Sequence, residues 1–149
     1  MLLIACVTCV TCYLLTVLLE VDSHCYLWSK IQLSWADAEA VCRKENGHLA
    51  SITSKATNDN ISAEFKTKPE AHTSTWIGGT DQEKEGVWKW SDCSPWKFEA
   101  WLENVAVSWA EGQDCLEFFR SEGTWNDDDC TKKNFFLCSQ RICQGWYQG

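Results

Sequence analysis

Apolar residues recur at helical spacing between residues 34 and 47. They share one face of a helix and are Trp35, Ala38, Val41 and Cys42. Ser34 is a typical N-cap residue with Asp37 three positions later, and Gly47 is suited to a left-handed helix end. The pattern predicts a helix with Cys42 pointing into the core.

A second, shorter helix is predicted from Thr57 to Phe65, where Ile61 and Phe65 lie four positions apart. After residue 69 the chain changes to short aromatic stretches separated by turn residues. The predicted strands cover residues 24–28, 75–79, 87–91, 115–120 and 134–139. Two helices followed by a sheet indicate an α+β fold.

The first 19 residues contain no charged side chain. This stretch predicts a signal peptide over residues 1–23, followed by one domain over residues 24–149. The predicted product is secreted and extracellular, and it is not inserted in a membrane once the signal is removed. A signal anchor is the alternative, because 19 apolar positions are almost long enough to span a bilayer. The first basic residue is Lys30, so no flanking positive charge supports such an anchor.

Composition narrows the class of protein. A chain of 149 residues is the usual size for one domain, and a net charge of -8 disfavours nucleic acid as a partner. Ten cysteines predict a disulfide framework, which persists in oxidising compartments. Cys6, Cys9 and Cys12 have Cys-x-x-Cys spacing but lie in an apolar run, and no second Cys or His pair accompanies them as in a zinc site.

Several short motifs occur together in one order. They are Gly47-His48-Leu49-Ala50-Ser51-Ile52 after the first helix, Trp76-Ile77-Gly78-Gly79, Asp114-Cys115, Trp125-Asn126-Asp127, Cys130 and Phe136-Leu137-Cys138. From about Cys25 to Ser139 the chain resembles the C-type lectin-like domain. The resemblance implies two helices, antiparallel strands, a long loop region and a disulfide-stapled α+β fold.

The resemblance also implies two disulfides, Cys42 with Cys138 and Cys115 with Cys130. Outside the predicted signal peptide, Cys25, Cys93 and Cys143 then remain. Cys25 paired with Cys143 leaves Cys93 free or intermolecular, and a bond between Cys93 and Cys143 is the alternative.

The stretch between Asp92 and Asp114 has no clear period and is longer than a structureless loop should be, so it is a candidate binding loop. Its tryptophans at 96, 101 and 109 form either a small loop core or a surface that stacks on sugars or anchors a protein.

Sugar-binding members of the family hold calcium through a Glu-Pro-Asn or Gln-Pro-Asp triplet, a Glu before the Asp-Cys pair, and the Asn-Asp of Trp-Asn-Asp. In this chain the corresponding positions are Val105-Ala106-Val107 and Gln113, and only Asn126 and Asp127 keep the family identity. Calcium requires six to eight oxygen ligands. The departure predicts a degraded calcium-bridged sugar site, and a shifted site using Glu103 and Asn104 is the alternative.

A second calcium position of some family members corresponds to Asp81, Glu85 and Asp114. The alternative is a solvated acidic turn. Calcium is therefore possible but not required by the sequence, with Asn126 and Asp127 as further candidate ligands. Asn60-Ile61-Ser62 is a glycosylation sequon, which predicts a glycoprotein if the chain is secreted.

The sequence predicts a non-enzymatic recognition module for a glycan or glycoprotein. The candidate ligand-binding residues are Glu103, Asn104, Trp109, Asn126 and Asp127. A calcium-dependent lectin and a disulfide-linked toxin or inhibitor subunit, or another disulfide-linked oligomer, are the alternatives. None of the three histidines, at 24, 48 and 72, lies in a catalytic motif.

Overall fold

The computed structural model describes residues 14–68, 73–103, 112–119 and 122–141. The predictions for Asn104, Trp109 and Cys143, and for the first 13 residues, fall outside these ranges. The described helices are α1 (Trp35–Lys44) and α2 (Lys55–Lys66). The strands are β1 (Leu15–Val21), β2 (His24–Ser29), β3 (His48–Leu49), β4 (Ser74–Thr80), β5 (Lys89–Trp90), β6 (Cys115–Phe119), β7 (Thr124–Asp128) and β8 (Phe135–Arg141).

Helix α1 begins and packs as its sequence predicts. The Ser34 hydroxyl accepts a hydrogen bond from the Asp37 backbone N–H, and Trp35, Ala38 and Cys42 are buried. Its end differs from the prediction, because Asn46 and not Gly47 adopts the left-handed conformation, with φ 59°. Gly47 is required for space instead, since an added Cβ would collide with the backbone carbonyl oxygen of Ser139.

The strands follow the order β1-β2-β8-β4-β6-β7, with β3 paired to β8 and β5 paired to β4. All of these pairs are antiparallel except β4 with β8, which is a short parallel pair. The α+β fold predicted from the sequence is confirmed. The β4–β6–β7 side of the sheet carries the acidic and Trp-Asn-Asp motifs.

Strand β1 is not predicted from the sequence, because residues 1–23 are predicted to form a signal peptide. Residues 15–21 instead pair with β2 from Leu15↔Ser29 to Val21↔His24. A run of mainly apolar residues suits an edge strand as well as a leader, so composition does not separate the two. The signal peptide itself stays a prediction.

Two disulfides with both cysteines in the described part of the chain tie helix to sheet and strand to loop. Cys42 on α1 is bonded to Cys138 on β8 across 96 residues of sequence, and Cys115 is bonded to Cys130 across 15. Loop-closure entropy makes such links worth roughly 4.7 and 3 kcal/mol. These are the two bonds that the family resemblance implies.

The remaining cysteines are only partly settled. Cys25 is disulfide-bonded. Cys93 is an exposed free thiol, which contradicts the alternative that pairs it with Cys143. In the described part of the chain, no helix is long and apolar enough to cross a membrane.

Candidate functional site

Three carboxylates meet where β4 ends and β6 begins. Asp81 directly follows β4, Asp114 directly precedes β6, and Glu85 lies in the exposed turn after β4. The pairing of these strands brings them together, because the Asp81 N–H donates to the Asp114 carbonyl at 3.2 Å. One oxygen from each carboxylate lies within 4.8 Å of the others. The three residues that the sequence singles out as a second calcium position therefore form a cluster.

The environment of Asp81 is unfavourable for a lone negative charge. The side chain is only 3 % exposed, and its Oδ2 accepts a hydrogen bond from the Gly86 N–H at 2.9 Å. Its other oxygen, Oδ1, is buried and has no hydrogen-bond partner among the described residues. Burial raises the pKa of Asp81, the charge of Asp114 raises it further, and the Gly86 hydrogen bond opposes both.

Asp127 on β7 belongs to the same electrostatic environment. It is 3 % exposed, and burial is the largest cause of its raised pKa. The negative charges of Asp81, Asp128 and Asp114 raise that pKa further, against a backbone hydrogen bond that lowers it. The field at this end of the sheet is therefore strongly negative and suited to a cation.

The residues present fit calcium better than a smaller divalent ion. Calcium accepts carboxylate oxygens in flexible geometry, whereas magnesium demands near-ideal octahedral geometry and keeps several waters. The buried, unpartnered Oδ1 of Asp81 is the observation that favours a cation over a merely solvated turn. Asp81, Glu85 and Asp114 would hold the ion.

The other predicted calcium and sugar residues in the described part of the chain lie on β7 and in the long loop. Side chains alternate along β7, so Trp125 and Asp127 share one face and Asn126 lies on the other. The Asn126 Nδ2 donates to Glu117 Oε1 on the neighbouring strand at 3.2 Å. Glu103 is exposed at the end of its described segment. The Asn126 amide is therefore engaged with Glu117, and Asp127 is buried on the other face of β7.

The tryptophans of the long loop pack against one another and against the core. The ring of Trp96 stacks on Trp90 with centroids 4.6 Å apart, and Trp101 meets the edge of Trp88 at 5.2 Å. Trp96 and Trp101 also contact Trp125. For these two residues the structure favours the loop-core alternative, although Trp88, Trp96 and Trp101 all remain partly exposed.

Trp88 is missed by the sequence prediction of binding residues. It appears there only as part of a predicted strand over residues 87–91, of which only Lys89–Trp90 is a strand. The feature of the sequence that could have pointed to Trp88 is its position next to Val87, which is 41 % exposed in the structure. Together they place an apolar surface next to the acidic turn that ends at Gly86.

Glu39 on α1 anchors the start of the loop region. Its Oε2 accepts hydrogen bonds from the Leu49 N–H at 2.8 Å and the Ser91 hydroxyl at 3.2 Å, and its Oε1 lies 2.5 Å from His48 Nδ1. The neighbouring Asp92 accepts from the Ser51 hydroxyl at 2.6 Å. His48 thus belongs to the hydrogen-bond network around Glu39, and no motif in the sequence predicted this network.

Comparison with known proteins identifies the class of domain. Residues 31–140 match the family model described as the lectin C-type domain. The galactose-specific lectin nattectin of Thalassophryne nattereri is 32 % identical over 120 residues, covering 80 % of this chain and 76 % of that lectin. Lectin BRA-3 of Megabalanus rosa is 35 % identical over 127 residues, covering 83 % and 75 %. The chain belongs to the C-type lectin domain family.

Longer relatives and solved structures belong to the same class of domain. Asialoglycoprotein receptor 2 of Mus musculus is 33 % identical, and the match covers 82 % of this chain but only 40 % of the receptor. The carbohydrate-recognition domain of mouse scavenger receptor C-type lectin superposes with a TM-score of 0.73 at 31 % identity, covering 84 % of this chain and 94 % of that one. Herring type II antifreeze protein gives 0.75 at 26 % identity, covering 91 % and 100 %. The family is one of non-enzymatic binding domains, which confirms that prediction.

Proposed function

We propose that this domain is an extracellular recognition module that binds a glycan or glycoprotein through its long-loop face, without a calcium ion bridging to the sugar. Membership of the C-type lectin family supports carbohydrate as the ligand class. Two disulfides support an extracellular setting, because such bonds persist in oxidising compartments.

The observation that supports the proposal most strongly is the position of the carboxylate cluster. The described cluster that suits a cation is Asp81, Glu85 and Asp114, next to the β4–β6 pair. Asn126 is engaged with Glu117 on the opposite face of β7 from Asp127. The chain also has Val105-Ala106-Val107 where a calcium-bridged site needs oxygen ligands.

Calcium has a structural role in this proposal. When bound, it neutralises part of the negative charge that Asp81, Glu85 and Asp114 bring together. The backbone hydrogen bond from Asp81 to Asp114 and the Thr80 hydroxyl, which donates to the same carbonyl at 2.7 Å, already hold the two strand ends. The ion would add to the stability of this junction without touching the ligand.

The partly exposed rings of Trp88, Trp96 and Trp101 are the proposed contact surface. Tryptophan supplies a large amphipathic face at a low cost in conformational entropy, and it is enriched at binding sites for that reason. Exposed Glu99 and Glu103 at the same loop supply acceptors for hydroxyl groups. An apolar face beside hydrogen-bond acceptors matches the surface of a pyranose ring.

Cys93 favours a second candidate function, as a subunit of a disulfide-linked assembly such as a toxin or inhibitor. Its thiol is exposed and free in the single chain. An exposed free thiol in an oxidising compartment is available for an intermolecular bond. Migration as a dimer on a nonreducing gel, converted to a monomer by reductant, would support this role.

The experiment that tests the proposal is glycan-array binding of the oxidised protein, in millimolar calcium and in chelator. We expect a set of bound glycans that is the same in both conditions. Binding lost on chelation would support the alternative lectin site with Glu103 and Asn104. Absence of binding to any glycan in either condition would contradict carbohydrate recognition and favour a protein ligand.

A further inference from the structure

The apolar segment before residue 24 contributes to both halves of the hydrophobic core. Leu15 is 3 % exposed and packs in the cluster that contains Trp35, Cys42 and Cys138. Leu18 is 7 % exposed and packs in the cluster that contains Ile61 and Phe65 of α2. Two buried leucines in two separate clusters are typical of an integral strand and not of a segment lying on a surface.

Backbone pairing agrees with this packing. Strand β1 runs antiparallel to β2 along its whole length, with one bulge between Val17 and Leu19. At the far end the Lys30 N–H donates to the Leu14 carbonyl at 2.7 Å. The hairpin closes at Asp22 and Ser23, whose φ angles of 49° and 61° are left-handed, as tight turns require.

We propose that Leu15–Val21 is a permanent strand of the mature domain, so that any N-terminal processing ends at or before Leu14. Cleavage after Ser23, the position that small residues at 21 and 23 would suggest, cuts the hairpin turn and removes β1. The apolar character of the segment therefore serves the core of the domain, and the folded unit begins about ten residues earlier than the sequence motifs indicate.

Loss of β1 would damage the rest of the sheet. Strand β2 lies between β1 and β8, and its Cys25, Tyr26 and Leu27 are buried. Without β1 the backbone groups of β2 would form an open edge beside uncovered apolar surface, which is a site for aggregation. A chain beginning at His24 is therefore expected to be recovered poorly as soluble, oxidised monomer.

The direct test is the N-terminus of the natural full-length product. The full chain is expressed in eukaryotic cells, and soluble oxidised protein from medium and cell extract is analysed by intact mass and N-terminal sequencing. We expect a first residue at or before Leu14, including an uncleaved chain. Soluble, natively disulfide-bonded protein that begins at His24 would overturn the proposal.

Point variants of the refolded full chain give an independent test. Leu18→Asp buries a charge in the core, whereas Thr16→Asp places the same group at an exposed position of the same strand. We expect the Tm to fall by about 8 °C or more for L18D and by less than about 2 °C for T16D. Equal, small effects of both variants would overturn the proposal, because a strand packed in the core must distinguish them. Neither test depends on ligand binding. The proposal about β1 can therefore fail while the proposed function stands, and the proposed function can fail while the proposal about β1 stands.

Discussion

The Oδ1 atom of Asn58 on α2 accepts a hydrogen bond from the indole N–H of Trp125 on β7, at 3.0 Å. The Nδ2 atom of the same side chain donates to the carbonyl of Gly123 at 2.7 Å. Asn58 is 4 % exposed, so both bonds are shielded from water. One amide thereby fixes the strand that carries Asn126 and Asp127 against the second helix.

Asn58→Ala is predicted to destabilise the domain by about 2–4 kcal/mol. The substitution leaves a buried indole N–H and a buried carbonyl without partners, and each costs about 1–3 kcal/mol. Urea unfolding of the oxidised protein measures the change. Lys66→Ala at an exposed position of the same helix is the matched control and should change stability by less than about 0.5 kcal/mol. Similar effects of the two variants would contradict the role given to Asn58.

Asp81→Asn is predicted to change stability in opposite directions with and without calcium. In chelator the variant should be more stable than the wild type, because a buried carboxylate with a raised pKa is replaced by a neutral amide. Calcium should bind it at least about tenfold more weakly, since a charged ligand is lost. Calorimetric titration and thermal unfolding give the two quantities.

The control for this prediction is Glu83→Gln. Glu83 lies in the same turn, is exposed, and pairs with Lys89 at 2.5 Å. Its loss should leave calcium affinity within about twofold, because an exposed ion pair contributes little. A fall in affinity for E83Q equal to that of D81N would place the ion elsewhere in the turn.

The contribution of three buried carboxyl groups to the stability of the calcium-free protein should decrease as the pH rises above the ordinary carboxyl range. Burial raises the folded-state pKa of Asp81 and Asp127 above 3.8 and that of Glu117 above 4.5. For a carboxyl group whose pKa is higher in the folded than in the unfolded state, the protonated form stabilises the fold. This contribution is complete below the unfolded-state pKa and is lost as the pH rises through the folded-state pKa.

Calcium should reverse this trend for the cluster, because it favours the ionised carboxylates. The difference in Tm between calcium and chelator is therefore expected to grow from about pH 4 to about pH 7. A calcium effect that is constant over this range, or largest at low pH, would contradict binding at these carboxylates.

Cys93→Gly is predicted to stabilise the domain by about 0.5–1 kcal/mol. Cys93 has a φ angle of 64°, in the left-handed region that a residue with a Cβ adopts at a cost and glycine adopts freely. Cys93→Ser removes the thiol but keeps the backbone strain, so it should show no such gain. Thermal unfolding of the two monomeric variants separates the effects, and an equal gain in C93S would assign it to the thiol.

Motifs with a local physical cause were predictable from the sequence. The Ser34 cap and the inward face with Cys42 follow from helical periodicity, and Asp81 and Asp114 flank strands whose aromatic pattern is clear. The end of α1 was placed at Gly47 because glycine favours left-handed backbone. Asn46 takes that conformation, while Gly47 is needed for its close contact with β8.

Features that depend on tertiary contacts were not predictable. The hydrogen bond of the Asn126 amide depends on Glu117, which another strand supplies. The packing of Trp96 and Trp101 depends on rings supplied by β5 and β7. Strand β1 shares its composition with a leader, and only packing distinguishes the two.

In the proposed function, no calcium ion bridges the domain to its ligand. The most direct test of this proposal is the affinity for one glycoprotein ligand selected from the array, measured in millimolar calcium and in chelator at a temperature where circular dichroism shows the domain folded in both. We expect dissociation constants that agree within about threefold, a difference of less than about 1 kcal/mol. A loss of affinity of about 100-fold on chelation, in a domain that stays folded, would contradict it.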